Sequence, residues 1–380
     1  MKLLEHLTVV ELADPLTEWC GRLFAQAGAR VILVEPPGGA LTRCFEPFLD
    51  GEPGAERSLH FWHYNTDKEG VTLDLTTPEG RRQLQQLVSG VDVLLDAGDE
   101  AAEGLAAANP RLVRCAVTPF GPEGPWAEYA GSDLVHLALG GQMMICGYDD
   151  IEHTPPLAPT GNQAYHMAGT WAFIATLARL HAREAMGGGE LGISVHEACS
   201  AMTENAFPTW DYTGKLSTRR TGRHASPGPT PPWQHRAKDG RYVNAQLVNV
   251  PPPAWMNLVA WLEEAGLAED LAESRYFVPE TFRDEAGHIS DVLSGFIATM
   301  DAADFFHGAQ ARGLIISEVN YPQDLVDNEH LAARHFWREV DMGDGTTLPF
   351  SGSTFLCAEA ETGPWRRAPH VDEHGAALRR

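Results

Sequence analysis

The chain has 380 residues, room for two or three ordinary domains or one large one with an appendage. Its 43% hydrophobic and 21% charged residues match a globular protein and exclude wholesale disorder. With 28 basic against 52 acidic residues the formal net charge is −24, a field that repels nucleic acid and anionic membranes, so neither is expected as a partner.

The first residues, Met1 to His6, are followed by no long apolar run, which argues against a signal peptide. The longest near-apolar stretch, Leu134 to Gly147, is broken by His136, Gln142 and three glycines and is too short to span a bilayer. The six cysteines (20, 44, 115, 146, 199 and 357) include no Cys-x-x-Cys pair. They read as reduced thiols of a cytoplasmic protein, not as a disulfide framework or a zinc site.

Strand and helix signals alternate from the start. Leu7 to Leu12 reads as a strand, Trp19 to Ala27 as a helix stopped at Gly28, and Val31 to Val34 as a buried strand ended by Glu35-Pro36-Pro37-Gly38-Gly39. Val71 to Leu75 is the next strand. Thr77-Pro78 then starts a helix that runs to Val88. Strands follow at Val91 to Leu95 and, after Asn109-Pro110, at Leu112 to Val117. Short links between such units imply an open, doubly wound parallel sheet, an α/β fold. Ala164 to Glu184 is one long helix, broken by Met186-Gly187-Gly188-Gly189 before a strand at Leu191 to Val195. Ser226 to Pro232 reads as a crossing between domains, and Lys238 to Arg241 as a turn into a strand from Tyr242 to Leu247. Helices follow around Ala254–Ala265, Ala286–Thr299 and Ala302–Arg312.

Few residues advertise chemistry on their own. His60 and His63 have the spacing of a metal pair but no third ligand, so no metal is expected. Gly187-Gly188-Gly189 lies between a helix and a strand, the reverse of a phosphate loop, and reads as a turn. The acidic run Asp96, Asp99, Glu100 and Glu103 reads as a solvated face, and Cys146 and Cys199 as inert thiols. Arg219, Arg220, Arg223 and His224 stand out against the acidic background. They fit either a surface loop with local salt bridges or a docking point for phosphate or carboxylate, which arginine binds through two parallel hydrogen bonds.

Taken in order, these segments resemble the class III CoA-transferases, the family of carnitine CoA-transferase, formyl-CoA transferase and α-methylacyl-CoA racemase. The resemblance is carried by Val9 to Asp14, Leu23 to Ala29, Val31 to Gly39 and Thr42-Arg43; by Asn65, Lys68 and Val71 to Leu75; by Asn109 to Val113, Phe120 to Pro125 and Asp133; and by Gly222-Arg223-His224 to Pro232, Lys238-Asp239-Gly240 and Leu325 to His330. It implies a Rossmann-like large domain over 1–200, completed by 325–380, a 200–225 linker and an inserted smaller α+β domain over 225–320. It also implies an interlocked dimer, either a homodimer or a heterodimer with a homologous chain. The implied substrates are an acyl-CoA and an organic acid, with coenzyme A thioester as substrate and no permanently bound cofactor. Arg43 and Lys68, with Arg219, Arg220 and Arg223, become the candidate CoA- or anion-binding groups, and Gln163 and Asp133 candidate pocket residues.

The chemistry departs from the family pattern. There an Asp, four residues before a Gly that opens the long helix, attacks the acyl-CoA thioester. Here Gly169 matches that Gly and the Asp position holds Tyr165, followed by His166. A phenol with an ordinary pKa near 10 is a poor substitute. Where the family carries an Asn-Phe-Arg-Pro-Gly stretch this chain has Asp96 to Glu100, and Thr66 and Asp67 replace another arginine. Each missing arginine removes a charge-assisted bond of roughly 1.5–3 kcal/mol. Tyr165 and His166 are therefore the catalytic candidates. Three readings stay open: a CoA-transferase, a non-catalytic partner subunit of a heteromeric CoA-transferase, and an acyl-CoA isomerase, racemase or lyase using the same pocket.

Overall fold

A computed structural model describes residues 1–203, 206–246 and 251–379. Residues Met1–Gln142, Pro159–Met202 and Glu329–Arg380 form one compact unit, and Met143–Ala158 with Thr203–Asn328 form a second.

The first unit is built on a parallel sheet. Its elements run β1 (Thr8–Leu12), α1 (Glu18–Gln26), β2 (Arg30–Glu35), α2 (Leu59–Asn65), β3 (Glu69–Thr72), α3 (Pro78–Val88), β4 (Val93–Asp96), β5 (Val113–Thr118), α4 (Asp133–Leu139), α5 (Gln163–Met186), β6 (Gly189–Ser194) and α6 (Val195–Ala201). The six strands lie in the order β3-β2-β1-β4-β5-β6, all parallel. Strand order reverses between β1 and β4, so the sheet is doubly wound, as the alternation in the sequence predicts. Val9, Val10, Leu33, Val93, Leu94 and Leu95 are all fully buried, the near-continuous apolar run of strands covered on both faces.

β3 differs from expectation. It ends at Thr72 instead of reaching Leu75, because Asp74 turns the chain: its Oδ1 accepts the Thr76 N–H at 3.1 Å, and its carbonyl accepts the Thr77 hydroxyl at 2.8 Å. Thr77 in turn caps α3 by accepting the Gly80 N–H at 3.1 Å. The outer edge of β3 is covered by the C-terminal segment. Gly70 N–H donates to His374 Nδ1 at 3.1 Å, Thr72 N–H to Asp372 Oδ1 at 2.9 Å, and Arg379 donates to the Thr72 carbonyl at 3.0 Å.

Helix α5 lies close against α1. Its inward stripe is small, with Ala164, Ala168, Ala172 and Thr176 at four-residue spacing, all fully buried. A Cβ on Gly169 would sit 3.0 Å from the Trp19 side chain and 3.1 Å from the Cys20 nitrogen.

In the second unit, α7 (Ala206–Thr213) precedes the hairpin β7 (Thr218–Arg220) and β8 (Arg223–Ser226). Strands β9 (Gln234–Arg236), β10 (Tyr242–Ala245) and β11 (Ile316–Glu318) form an antiparallel sheet in the order β11-β10-β9. Leu247, the expected end of β10, lies outside the described residues, as do Glu204 and Asn205 of the expected linker. Helices α8 (Pro252–Glu264), α9 (Pro279–Asp284), α10 (Ala286–Ile297) and α11 (Ala302–Gln310) complete a separate apolar core around Trp255, Trp261, Phe296 and Phe305. Back in the first unit, α12 (Glu329–Ala333), the hairpin β12 (Trp337–Asp341) and β13 (Thr347–Ser351), and α13 (Gly375–Leu378) follow. Among the described residues no helix is long and apolar enough to cross a membrane.

Candidate active site

In open parallel sheets ligands bind outside the carboxyl ends of the strands, where strand order reverses. Here that point is the β1/β4 pair, and Asp14 follows β1 by two residues. The parallel packing of β6 puts the N-terminus of α5 at this same edge. The backbone there is unusual. Asn162, just before α5, adopts φ +50° and supplies no side-chain cap. The cap comes from 31 positions earlier: Asp133 Oδ1 accepts the Ala164 N–H at 2.8 Å. Burial pushes the Asp133 carboxyl up, while the N–H groups of Ala164 and Tyr165 oppose that rise.

Tyr165 stands in the first turn of α5, half-buried. Burial, then the charges of Asp133 and Asp14, push its phenol above the usual range. Among the described residues no base is hydrogen-bonded to its hydroxyl to activate it as a nucleophile. His166 is held differently. Its Nε2 is 2.7 Å from the Tyr64 hydroxyl, and its ring lies 4.3 Å from that of Trp19, centroid to centroid. Trp19 is itself fixed by an Nε1–H bond to Thr170 Oγ1 at 3.1 Å. Burial, then the charges of Arg22 and His60, push the His166 imidazole down to about 4. Burial pushes the Tyr64 phenol up. The pKa values of the pair move apart, so the hydrogen bond positions two neutral rings and does not pass a proton at neutral pH. His63, nearby on α2, is pushed down to about 3 by burial and then by Arg22. Gln163 turns away from this group, donating to the Thr160 carbonyl at 3.0 Å.

The basic candidates are tied to partners of their own. Arg43 is fully buried and its five N–H groups are all used, on Glu35, Glu56, and the carbonyls of Ala55 and Pro369. Lys68 is also buried, with Nζ 2.7 Å and 2.9 Å from the two Glu11 carboxylate oxygens. Burial lifts the Glu11 carboxyl to about 7 despite that partner. Both cations therefore neutralise carboxylates inside the sheet unit. Sequence reading cannot see this, because Glu35 and Glu11 sit on strands that otherwise read as apolar. Arg219, Arg220 and Arg223 lie in the second unit, on the β7–β8 hairpin. Arg223 spends all five donors on Asp149, Thr230 and the Thr221 carbonyl. Arg219 is buried, donating to the carbonyls of Ile151 and Thr154, and Arg220 bonds Ser226. Arg223 Nη1 lies 3.0 Å from Asp149 Oδ2, a salt bridge within the same unit.

The acidic run is corrected in part. Asp96 is not on a solvated face but fully buried, held by Arg114 of β5 at 2.8 and 3.0 Å. Asp14 enters the sequence reading only as the end of the Val9 to Asp14 segment; its place directly between the first strand and first helix is what marks it in the structure. Among the described residues no group of three His, Cys, Asp or Glu side chains could hold a metal ion.

Comparison with known proteins converges on one family. The description of CoA-transferase family III matches residues 4–375. The chain is 31% identical over 96% of its length, and 91% of the relative's, to the succinyl-CoA:(R)-benzylsuccinate CoA-transferase subunit BbsE of Thauera aromatica. It is 29% identical to a succinyl-CoA:mesaconate CoA-transferase of Haloarcula hispanica, over 100% of this chain and 96% of that one. Among solved structures, a CAIB/BAIF family protein from Brucella suis superposes with a TM-score of 0.81 at 25% identity, covering 98% of this chain and 97% of the other. The Thauera and Haloarcula relatives are named as CoA-transferases that use succinyl-CoA. With that agreement running along nearly all of its length, the chain belongs to CoA-transferase family III.

Proposed function

We propose that the chain carries out CoA transfer between a dicarboxylic acyl-CoA of the succinyl-CoA kind and a second organic acid, at the N-terminus of α5. The observation that carries this reading is the partly buried carboxyl of Asp133, held on the Ala164 N–H at the N-terminus of α5 beside Tyr165, with Asp14, just past the end of β1, acting by its charge on the same phenol. Exchange of CoA between a thioester and a free acid is carboxylate chemistry, and a poorly solvated carboxylate is its reagent. The names of the relatives, which pair succinyl-CoA with benzylsuccinate or mesaconate, support the substrate class.

The assembly is proposed as an interlocked, cytoplasmic dimer with the second unit as its inserted smaller domain. Exposed apolar side chains on α4 and α5 (Leu134, Leu139, Trp171 and Ile174) support a partner surface. A heterodimer with a homologous chain is favoured by one specific observation, the phenol of Tyr165 where the family places a carboxylate. It is supported by relatives named as a subunit and as a beta subunit.

The test is CoA exchange followed by mass spectrometry, with succinyl-CoA as donor and a panel of dicarboxylic and aryl-substituted acids as acceptors. The purified chain is assayed alone and co-expressed with a homologous chain. New CoA esters support the reading; hydrolysis or no change in both preparations refutes it.

A further inference from the structure

Four carboxylates of the first unit compete for the part that Tyr165 cannot play. Glu11 is fully buried and bound to Lys68. Asp133 is committed to the first turn of α5 through the Ala164 N–H. Glu197 is exposed, in the first turn of α6. Asp14 combines a fixed geometry with a free oxygen and is not the cap of α5. Its Oδ1 accepts the Leu16 N–H at 2.9 Å, and its carbonyl accepts the N–H groups of Thr17 at 3.0 Å and Glu18 at 3.3 Å, so the start of α1 holds the residue in place. Among the described residues its Oδ2 receives no hydrogen bond. It sits at the switch point of the sheet, near enough to Tyr165 for its charge to raise that phenol.

We propose that Asp14, at the first strand-to-helix turn, is the acyl-accepting carboxylate of this chain, in place of the position on α5 now occupied by Tyr165. This rests on the CoA-transfer reading above. Burial, with the charges of Asp99 and Glu18 in the same direction, lifts its carboxyl to about 6, so it is ionised at neutral pH and poorly solvated, as a nucleophile should be. In the first step Oδ2 attacks the thioester carbonyl: a C–O bond forms, the C–S bond breaks, and CoA thiolate leaves with the electron pair. In the second, the thiolate attacks the Asp14 carbonyl carbon of the mixed anhydride: a C–S bond forms, the C–O bond to Asp14 breaks, and the donor acid leaves as its carboxylate. An acceptor carboxylate then runs both steps in reverse. No proton or redox partner is needed.

The experiment traps the aspartyl-CoA thioester. The full chain, alone and with its homologous partner, is incubated with succinyl-CoA, reduced with borohydride, and mapped by peptide mass. The expected result is a modified Asp14, absent in Asp14→Asn, with CoA exchange falling by a factor of roughly 10³ or more. Asp14→Glu, which keeps a carboxyl one methylene further out, should retain a measurable adduct, and circular dichroism should be unchanged in both variants. An adduct on any other residue of this chain, an adduct only on the partner, or full exchange in Asp14→Asn overturns the role of Asp14 and leaves CoA transfer standing. No exchange with either preparation overturns both.

Discussion

Replacing Lys68 by Met separates two roles that the sequence alone confuses. As a CoA-facing cation, Lys68 would govern substrate affinity. In the structure it is, among the described residues, the sole cation bonded to a fully buried Glu11, 2.7 Å away, and it also bonds the Glu18 carbonyl at 3.4 Å. Removing one member of such a pair costs about 3–5 kcal/mol, because the remaining charge stays buried without compensation. The cost must depend on pH. Glu11 already holds its proton up to about pH 7 with Lys68 present; without it the carboxyl rises further. Its folded pKa lies above its unfolded one, so between the two the folded state binds more protons, and stability falls as pH rises through that window. The deficit of Lys68→Met should therefore be largest near pH 8 and shrink below pH 6. Adding Glu11→Gln to Lys68→Met should recover much of the loss at pH 8, since no buried charge then remains. Urea midpoints of the wild type and these two variants at both pH values supply the measurement. A deficit that is equal at pH 8 and pH 5.5, or a variant of full stability with weakened CoA binding, would refute the structural reading of Lys68.

Gly169→Val should destabilise by about 1–3 kcal/mol, the usual cost of overpacking, because its Cβ would press on Trp19; a thermal melt within a degree of wild type would exclude the close contact of α5 with α1. The His166 imidazole should stay neutral until the pH falls toward about 4, and its nitrogen-15 shifts check this. Its folded pKa lies below its unfolded one, so its share of stability is complete above about pH 6.5 and is lost as the pH falls from there; titration near 6.5 in the folded protein would contradict the burial of the Tyr64–His166 pair. Asp149→Ala frees two donors of Arg223 and should lower stability by about 1–3 kcal/mol, while inorganic phosphate, measured by calorimetry, should bind the variant more tightly than the wild type. Equal phosphate affinity would show that the hairpin is closed to anions even without its carboxylate.

The parallel sheet is legible because strand and helix periods alternate with short links from Thr8 to Val117, and the long α5 because Ala164 to Glu184 carries no proline and a single glycine. Local chemistry also places the caps: Thr77 and Pro78 announce α3 from sequence. Pairings over long separations are not legible in this way. Asp133 reaches a helix 31 positions away, Lys68 a strand 57 positions away, and Arg223 an aspartate 74 positions away. Each is a charge that composition assigns to the surface and topology draws inward. The candidate site suffers most from this. Tyr165 and His166 are found through the family resemblance, by counting back from Gly169, whereas Asp14 gains meaning only when β1 and α5 are brought to one edge of the sheet.

The cover on β3 has a consequence for how the chain reaches this state. The N–H of Gly70 waits for a partner 304 positions later, and that of Thr72 for one 300 positions later. During synthesis the sheet can therefore form from β1 to β6 while one margin still offers unpaired amides to any other extended chain nearby. Only when residues 370–379 emerge is that margin closed, by an imidazole, a carboxylate and a guanidinium rather than by another strand. A nascent chain halted before this point, or a product clipped there by a protease, keeps its core and loses its protection against edge-to-edge pairing, so that it would be lost to aggregates well before it lost its fold.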